Sequence, residues 1–360
     1  MKQSLNFAWN FVPSFNDEYL KELPKDKKVI NIPHTVKEVP YNYFSEKEYQ
    51  MISTYEKYFD VEDFNNKKIY FLRFDGFMVK AKIYLNDHYL GEYVSIYIPV
   101  EIDVSQYLKE KDNRLLVVLD SHEDTNYPPF GFALDYLTFG GIYREVYLVS
   151  ELESYLKNIY VHGDMNGLVN ITYEKIGQKA TEIVNELYFE DKLVTTTTND
   201  SFKIDNPKLW DINHPNLYTL KTVIKVDGLK ETYTTRFGFR DIRFDNTGFY
   251  LNNQKVKLVG LNRHQGYPYI GYAASKSLQE DDADMMKYEI GLNVVRTSHY
   301  PQSKHFLNRC DEIGLMVINE IPGWQHIGES EIWRKQCLIN TEMMKSHIIL
   351  PLRIPAESVE

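Results

Sequence analysis

Polar side chains follow short apolar runs at two places in the C-terminal third of the sequence. Asn293–Pro301 reads N-V-V-R-T-S-H-Y-P, and Asp311–Glu320 reads D-E-I-G-L-M-V-I-N-E. Polar and charged residues at the carboxyl ends of buried strands are typical of an active site, and an arginine there can orient a carboxylate. Arg296 fits two roles equally: a bidentate partner that orients a catalytic carboxylate, or a salt bridge inside the fold.

The residues around these polar groups alternate between strand and helix patterns, which predicts a β/α barrel with its site at the carboxyl ends of the strands. The predicted elements are, in order, hairpin 249–257, strand 258–264, helix 278–291, strand 293–296, helix 303–313 ended by Gly314, strand 315–318 and helix 331–346. A complete barrel needs about 250 residues, so residues 246–360 hold roughly three of its eight units.

Two β-rich regions precede the barrel. Residues 1–150 show short strands between turns and no helix of useful length, which predicts a jelly-roll sandwich. Residues 151–245 contain several strand patterns separated by polar stretches such as 195–201, which predicts an immunoglobulin-like sandwich. Trp210 is expected to pack the core of that sandwich. The sequence therefore predicts three domains, at 1–150, 151–245 and 246–360.

Composition and charge argue against some partners. A net charge of −10 opposes binding to nucleic acid or to an anionic membrane, both of which need a basic surface. No run of about 18 apolar residues suggests a membrane helix, and the N-terminus lacks the apolar core of a signal peptide. Cys310 and Cys337 have no metal-like spacing and fit reduced thiols. The expectation is a cytoplasmic protein.

The two C-terminal motifs closely resemble the first signature of the family 2 glycoside hydrolases, which include β-galactosidases, β-glucuronidases and β-mannosidases. Parts of both β regions resemble the same family: Phe74–Gly76, Tyr84–Asn86, Gly140–Val146 and Pro207–Trp210. The resemblance therefore covers all three predicted domains. It implies a jelly-roll sugar-binding domain, an immunoglobulin-like β-sandwich and an incomplete (β/α)8 TIM barrel.

The resemblance implies hydrolysis of a terminal β-linked sugar with retention of configuration. That reaction uses two carboxyl groups about 5–5.5 Å apart, which in this family come from later barrel strands. The apolar tail at 347–358 ends in Glu357-Ser358, so Glu357 is the acid/base candidate that remains. Two interior prolines argue against a strand in that tail. The chain is expected to be a fragment that lacks both catalytic glutamates.

The resemblance also implies substrate-binding residues. His264 and His299 match histidines that bind sugar hydroxyls or stabilise the transition state, and Glu320 matches a glutamate that supports the site without acting as nucleophile. Asp135 matches an aspartate that grips the sugar, although a turn-capping aspartate fits the sequence as well. The substrate-binding candidates are Asn42, Asp135, His264, Arg296, His299, Glu320 and Trp324.

Cofactor and substrate predictions follow from the same resemblance. His326 lies near the position of a magnesium ligand in some galactosidases of the family, but residues 321–325 depart from that motif. Magnesium in the intact enzyme stays open, and no other cofactor is predicted. The predicted substrate is a β-linked galactoside or a related carbohydrate, and the intact enzyme is predicted to be a homo-oligomer. Two alternatives stay open: a β-glucuronidase of the same family and a non-catalytic carbohydrate-binding fragment.

Overall fold

The computed structural model describes residues 2–131, 134, 136–179, 181–323, 325–347 and 353–355. The chain divides into two compact units. The first contains the chain up to Glu151 together with His264–Ser275 and Pro322–Thr341. The second contains Leu152–Arg263, Lys276–Ile321 and the residues from Glu342 onward.

The N-terminal region is built from two sheets. Their orders in the described residues are β1-β10-β5-β8 and β3-β2-β4-β9-β6-β7. Alternate residues along β10 are buried, the pattern of a strand with one face on a core. Trp9, Tyr55, Leu72 and Ile83 are wholly buried in this region. The strands are β1 (Lys2–Ser4), β2 (Trp9–Val12), β3 (Lys28–Ile30), β4 (Ile52–Phe59), β5 (Lys68–Phe74), β6 (Lys80–Leu85), β7 (His88–Val94), β8 (Val100–Asp103), β9 (Asn113–Asp120) and β10 (Val146–Leu152), with short 3-10 helices at Asp17–Leu20 and Glu46–Glu48.

The following region is a second sandwich with sheet orders β11-β12-β15 and β14-β13-β16-β17 in the described part of the chain. Its core includes Leu187, Leu220 and Phe237, all wholly buried. The polar stretch at 195–201 was expected to separate strands, but β14 runs through its first half, because β-branched threonines suit an exposed edge strand. The strands are β11 (Tyr155–Gly163), β12 (Leu168–Ile176), β13 (Glu182–Phe189), β14 (Lys192–Thr197), β15 (Ser201–Lys203), β16 (Tyr218–Val226) and β17 (Leu229–Phe237).

A three-stranded antiparallel sheet in the described residues leads from this sandwich to the barrel. Its strands are β18 (Ile242–Asp245), β19 (Gly248–Leu251) and β20 (Gln254–Val256). Asn252 and Asn253 form the turn between β19 and β20 with φ of 51° and 63°. Asparagine tolerates this left-handed conformation better than most residues. The hairpin predicted from the sequence is confirmed.

Parallel strands begin the barrel, in the order β21-β22-β23-β24 among the described residues. Gly314, with φ of 74°, ends the second helix as predicted. The tail was expected to form no strand, yet β24 pairs in parallel with β23, and Pro355 is tolerated there because β24 is an edge strand. The elements are β21 (Gly260–Asn262), α1 (Lys276–Asp284) continued by a π-helix at Met285–Glu289, β22 (Val294–Arg296), α2 (Lys304–Ile313), β23 (Met316–Asn319), α3 (Glu331–His347) and β24 (Arg353–Pro355).

Trp210 packs against the barrel sheet and not in the core of the second sandwich, where the sequence had placed it. Its buried ring clusters with Phe249, Val294 and Met316. Its indole Nε1 donates a hydrogen bond to the carbonyl oxygen of Asp311, 2.8 Å away. Trp210 is thus structural as predicted, but it closes one end of the parallel sheet.

None of the helices in the described residues combines the length and the apolar composition that a membrane crossing requires.

Candidate functional site

Arg296, His299 and Glu320 contact one another at the carboxyl ends of β22 and β23. Arg296 Nε donates a short hydrogen bond to Glu320 Oε1, and His299 Nδ1 lies 3.1 Å from Glu320 Oε2. The Arg296 Nη2 atom lies 3.4 Å from His299 Nδ1. Both oxygens of Glu320 are therefore engaged by side chains of the neighbouring strand and its loop.

The strand register explains why these residues meet. β22 pairs with β23 in parallel, with Arg296 opposite Ile318, so the loop after β22 and the end of β23 lie side by side. Thr297 fixes this junction, because its amide donates to Ile318 O at 2.9 Å and its hydroxyl donates to Asn319 Oδ1 at 3.0 Å. The apolar strands position the polar groups that follow them, as parallel strands of a β/α barrel do.

This arrangement makes Glu320 a fixed hydrogen-bond acceptor. A Nδ1–H donated by His299 to Glu320 sets the tautomer in which Nε2 is the acceptor nitrogen. The Arg296 side chain is less buried than its partners, with 43% of its area exposed against 16% for Glu320. The cluster can thus bind a hydroxyl-rich ligand or orient a further carboxylate.

A second polar cluster lies at the carboxyl end of β21, beside the end of β22. Arg263 is buried and donates to Asp282 Oδ2 at 2.7 Å, to Gln279 Oε1 at 2.8 Å and to Gln302 Oε1. The sequence pattern indicated His264 in the run Asn-Arg-His as a site residue, but it did not indicate Arg263, the arginine before it. A spacing rule does not reveal Arg263, because its partners come from two separate later segments.

His264 and Asn42 belong to the first compact unit. The exposed His264 ring packs on the Tyr136 ring, with centroids 5.2 Å apart. The next residue, Gln265, accepts a hydrogen bond from Arg144 Nη2 at 3.1 Å. Asn42 is exposed in a loop that precedes the 3-10 helix at Glu46–Glu48.

His326 has a packing role in the structure. Its ring lies edge-on to Trp333, with centroids 6.0 Å apart, and so close to Gly131 that a Cβ there would come within 2.2 Å of it. The described residues hold no group of three or more histidine, cysteine, aspartate or glutamate side chains placed for a metal ion. Among the described residues, His326 therefore lies in an aromatic packing contact and not in a group of metal-ligating side chains.

Three predicted site residues, Asp135, Trp324 and Glu357, lie outside the described residues. The structure brings together Arg296, His299 and Glu320 from the predicted set.

Comparison with known proteins matches all three regions. Residues 9–128 match the galactose-binding domain-like model of glycosyl hydrolase 2, residues 160–240 match the glycosyl hydrolases family 2 model, and residues 242–348 match the TIM barrel domain of glycosyl hydrolases family 2. The fold class predicted from the sequence is confirmed: a jelly-roll domain, an immunoglobulin-like domain and part of a TIM barrel. The chain belongs to glycoside hydrolase family 2.

Particular relatives are β-galactosidases. The chain is 43% identical to the β-galactosidase of Thermoanaerobacterium thermosulfurigenes over 92% of its own length and 50% of the relative. It is 38% identical to the β-galactosidase of Thermoanaerobacter pseudethanolicus over 95% of its length and 49% of the relative. The chain thus spans about half the length of these curated relatives.

Solved structures of β-glucuronidases share the fold. That of Parabacteroides merdae covers 98% of this chain and 51% of its own, with a TM-score of 0.88 at 24% identity. That of Bacteroides uniformis β-glucuronidase 2 covers 98% of this chain and 46% of its own, with a TM-score of 0.85 at 26% identity.

Proposed function

We propose that the chain is a fragment of a retaining exo-glycosidase that acts on terminal β-D-galactosides. The contact of Arg296, His299 and Glu320 carries this proposal, because it places a fixed carboxylate and a histidine at the ends of adjacent barrel strands. The identity of 43% to a β-galactosidase over nearly the whole chain favours galactose as the sugar. In this role Glu320 accepts hydrogen bonds and supports the site, while His299 contacts the substrate or the transition state.

The covalent chemistry needs further groups. Retention requires a nucleophile and an acid/base about 5–5.5 Å apart, and Glu320 already has both oxygens engaged by Arg296 and His299. We propose that the two catalytic carboxylates are other residues, with Glu357 the one candidate in this sequence. The 360-residue chain by itself is then expected to bind sugar but not to hydrolyse it.

Asp135, His264, Trp324 and Asn42 stay proposed substrate-binding residues on the strength of the sequence resemblance alone. A carboxylate that accepts sugar hydroxyls contributes charge-assisted hydrogen bonds of roughly 1.5–3 kcal/mol. We propose no metal at His326 and no organic cofactor. A carbohydrate substrate, a cytoplasmic location and a homo-oligomeric intact enzyme complete the proposal, with no nucleic-acid or membrane partner.

Two alternatives are kept. The first is a β-glucuronidase, which is favoured by the structural likeness to such enzymes over 98% of the chain. The second is a non-catalytic carbohydrate-binding fragment, which is favoured by the engagement of Glu320 described above.

The test compares turnover and binding in the purified chain. Nitrophenyl β-galactoside and nitrophenyl β-glucuronide are assayed against buffer, and binding of the methyl β-glycosides is followed by saturation-transfer NMR. We expect no turnover and preferential binding of the galactoside. Turnover that Glu357→Gln abolishes would contradict the proposed lack of catalytic groups. Preferential binding of the glucuronide would favour the first alternative. If the chain binds neither sugar, the proposed function is wrong.

A further inference from the structure

We infer that Arg263 and Gln302 are positioning residues that hold the loop bearing His299 against Glu320. Arg263 follows β21, and Gln302 ends the loop that follows β22. Their side chains meet through a short hydrogen bond from Arg263 Nη1 to Gln302 Oε1. The link joins the first and second barrel strands at the level of the candidate site.

Burial of Arg263 makes this link rigid. The residue is 3% exposed, and its guanidinium lies 4.0 Å from the centroid of the Phe306 ring. A buried cation is tolerated when its donors are satisfied. On α1, Asp282 accepts from Arg263 Nε and Nη2, and Gln279 accepts from Nη2. The planar fork of arginine fixes all these partners at once, which a lysine ammonium does not do.

Gln302 connects the buried Arg263 to the loop that bears His299. Its amide Nε2 lies 3.3 Å from Tyr300 O and 3.4 Å from Arg263 O, and it donates to both. The Tyr300 amide donates in turn to Thr297 O at 3.1 Å. The loop is therefore tied at Thr297 on one side and at Gln302 on the other, with His299 between the two ties.

The position of His299 matters because its Nδ1 faces Glu320 at 3.1 Å. A loop released at Gln302 leaves the backbone on the C-terminal side of His299 without its anchor, although Thr297 still holds the other end. The functional meaning of this position rests on the function proposed above. The positioning itself is a property of the chain and can be measured without any sugar.

The experiment uses the full chain labelled with 15N-histidine, with the His299 resonance assigned through His299→Gln. Glu320→Gln gives the Nδ1 shift of a histidine that has lost its carboxylate partner. We expect Gln302→Ala to move the His299 Nδ1 resonance in the same direction. In a chain labelled with 15N-tyrosine we also expect exchange of the Tyr300 amide to become roughly tenfold faster, because the loop that holds it loses about one hydrogen bond.

Two further variants separate positioning from stability. Gln302→Glu keeps an acceptor for Arg263 but removes the donor to Tyr300 O, so it should preserve the melting temperature and still move the His299 resonance. Ile313→Val, on the buried face of α2, should lower the melting temperature without moving that resonance.

The inference is wrong if Gln302→Ala and Gln302→Glu both leave the His299 resonance at its wild-type position. Should Gln302→Ala fail to fold, Gln302→Glu alone decides. The inference is also wrong if a Gln302 variant loses galactoside binding while its His299 resonance stays at the wild-type position. A moved resonance in a chain that binds no galactoside confirms the positioning and argues against the proposed function only.

Discussion

The immunoglobulin-like sandwich and the parallel barrel sheet lie in the same compact unit but bury apolar residues to different degrees. Leu187 and Phe237 are wholly buried inside the sandwich. In the parallel sheet Val295 is wholly buried, whereas Val259 and Leu261 near β21 are 47% and 53% exposed. The sandwich therefore covers its own core, and the described part of the barrel sheet does not.

This difference in burial indicates that the sandwich contributes mainly to stability, whereas the ends of the barrel strands carry the candidate site. The sandwich core is formed by apolar side chains, whereas the carboxyl ends of the barrel strands carry Arg296, His299 and Glu320 in contact. Charged groups at strand ends add little to stability when they are partly exposed. We therefore expect changes in the sandwich to act on folding and changes in the barrel sheet to act on function or association.

Limited proteolysis is the strongest test of this contrast. We expect protease to remove residues beyond about 250 first, because exposed apolar strands with an open edge unfold locally at low cost. Residues 1–245 should survive longer, as followed by mass spectrometry over time. Equal resistance of residues 256–346 and 1–245 in a monomeric sample would show that the barrel region is as well packed as the sandwich.

Phe237→Ala should cost about 3–5 kcal/mol of unfolding free energy, because it opens a cavity in a filled core. Its ring lies 6.1 Å from Tyr218 and 5.2 Å from Phe239, measured between centroids. Urea unfolding followed by circular dichroism measures the loss. Leu193→Ala, an exposed change in the same sandwich, should stay within about 0.5 kcal/mol. Similar losses in the two variants would contradict the described core.

The same contrast explains which parts of the structure the sequence predicted. Elements with strong periodicity were found, such as α2 over Lys304–Ile313, because a buried stripe and the stop at Gly314 both leave a sequence signal. β14 was missed because an exposed edge strand needs no apolar alternation.

Long-range partners were less predictable than local elements. The sequence named Arg296, His299 and Glu320 but not their mutual contacts, and it missed the buried partners of Arg263. It identified Trp210 as structural but not its place, because both a sandwich and a sheet can bury a large ring. The domain bounds at 150 and 245 and the roles of the individual site residues remain predictions.

His34 extends the contrast to the N-terminal β region, where burial disfavours a charge on its imidazole ring. Burial, with a smaller effect of Lys28, lowers the pKa of His34 to about 4, and its Nδ1 lies 3.0 Å from the Tyr55 hydroxyl. The unfolded histidine has a pKa of about 6.5. As pH falls from 6.5 to 4, the unfolded chain therefore takes up a proton that the folded chain excludes. Stability should fall over this range by at most about 3 kcal/mol.

Urea unfolding at pH 7 and pH 4.5 measures this loss in the wild type and in His34→Gln, which should lose less. His214→Gln, at an exposed histidine, should behave as the wild type does. An equal loss in the wild type and in His34→Gln would show that other groups cause the acid sensitivity.

Glu320→Gln should act on function and not on folding. In a form of the protein that is competent for turnover, it should lower kcat/KM roughly 10- to 100-fold, because it weakens charge-assisted hydrogen bonds. The melting temperature should change little, since its partner Arg296 is 43% exposed. Glu312→Gln removes a carboxylate on α2 that pairs with Arg236 and Arg309, and it should change neither quantity much. A large loss of stability with normal kinetics would make Glu320 a structural residue.

Leu261→Lys should have the smallest effect on stability, within about 0.5 kcal/mol, because the side chain is already 53% exposed. It should nevertheless reduce self-association, since β21 is an edge strand of its described sheet and carries no charged residue to discourage pairing with another chain.

Leu193→Lys is the matched control: this leucine is 56% exposed on the edge strand β14, next to Lys192 and the acidic turn at 190–191. Because charge already protects β14, Leu193→Lys should leave association unchanged. Sedimentation velocity at several concentrations measures both variants, and an equal response would mean that the open barrel edge is not what associates.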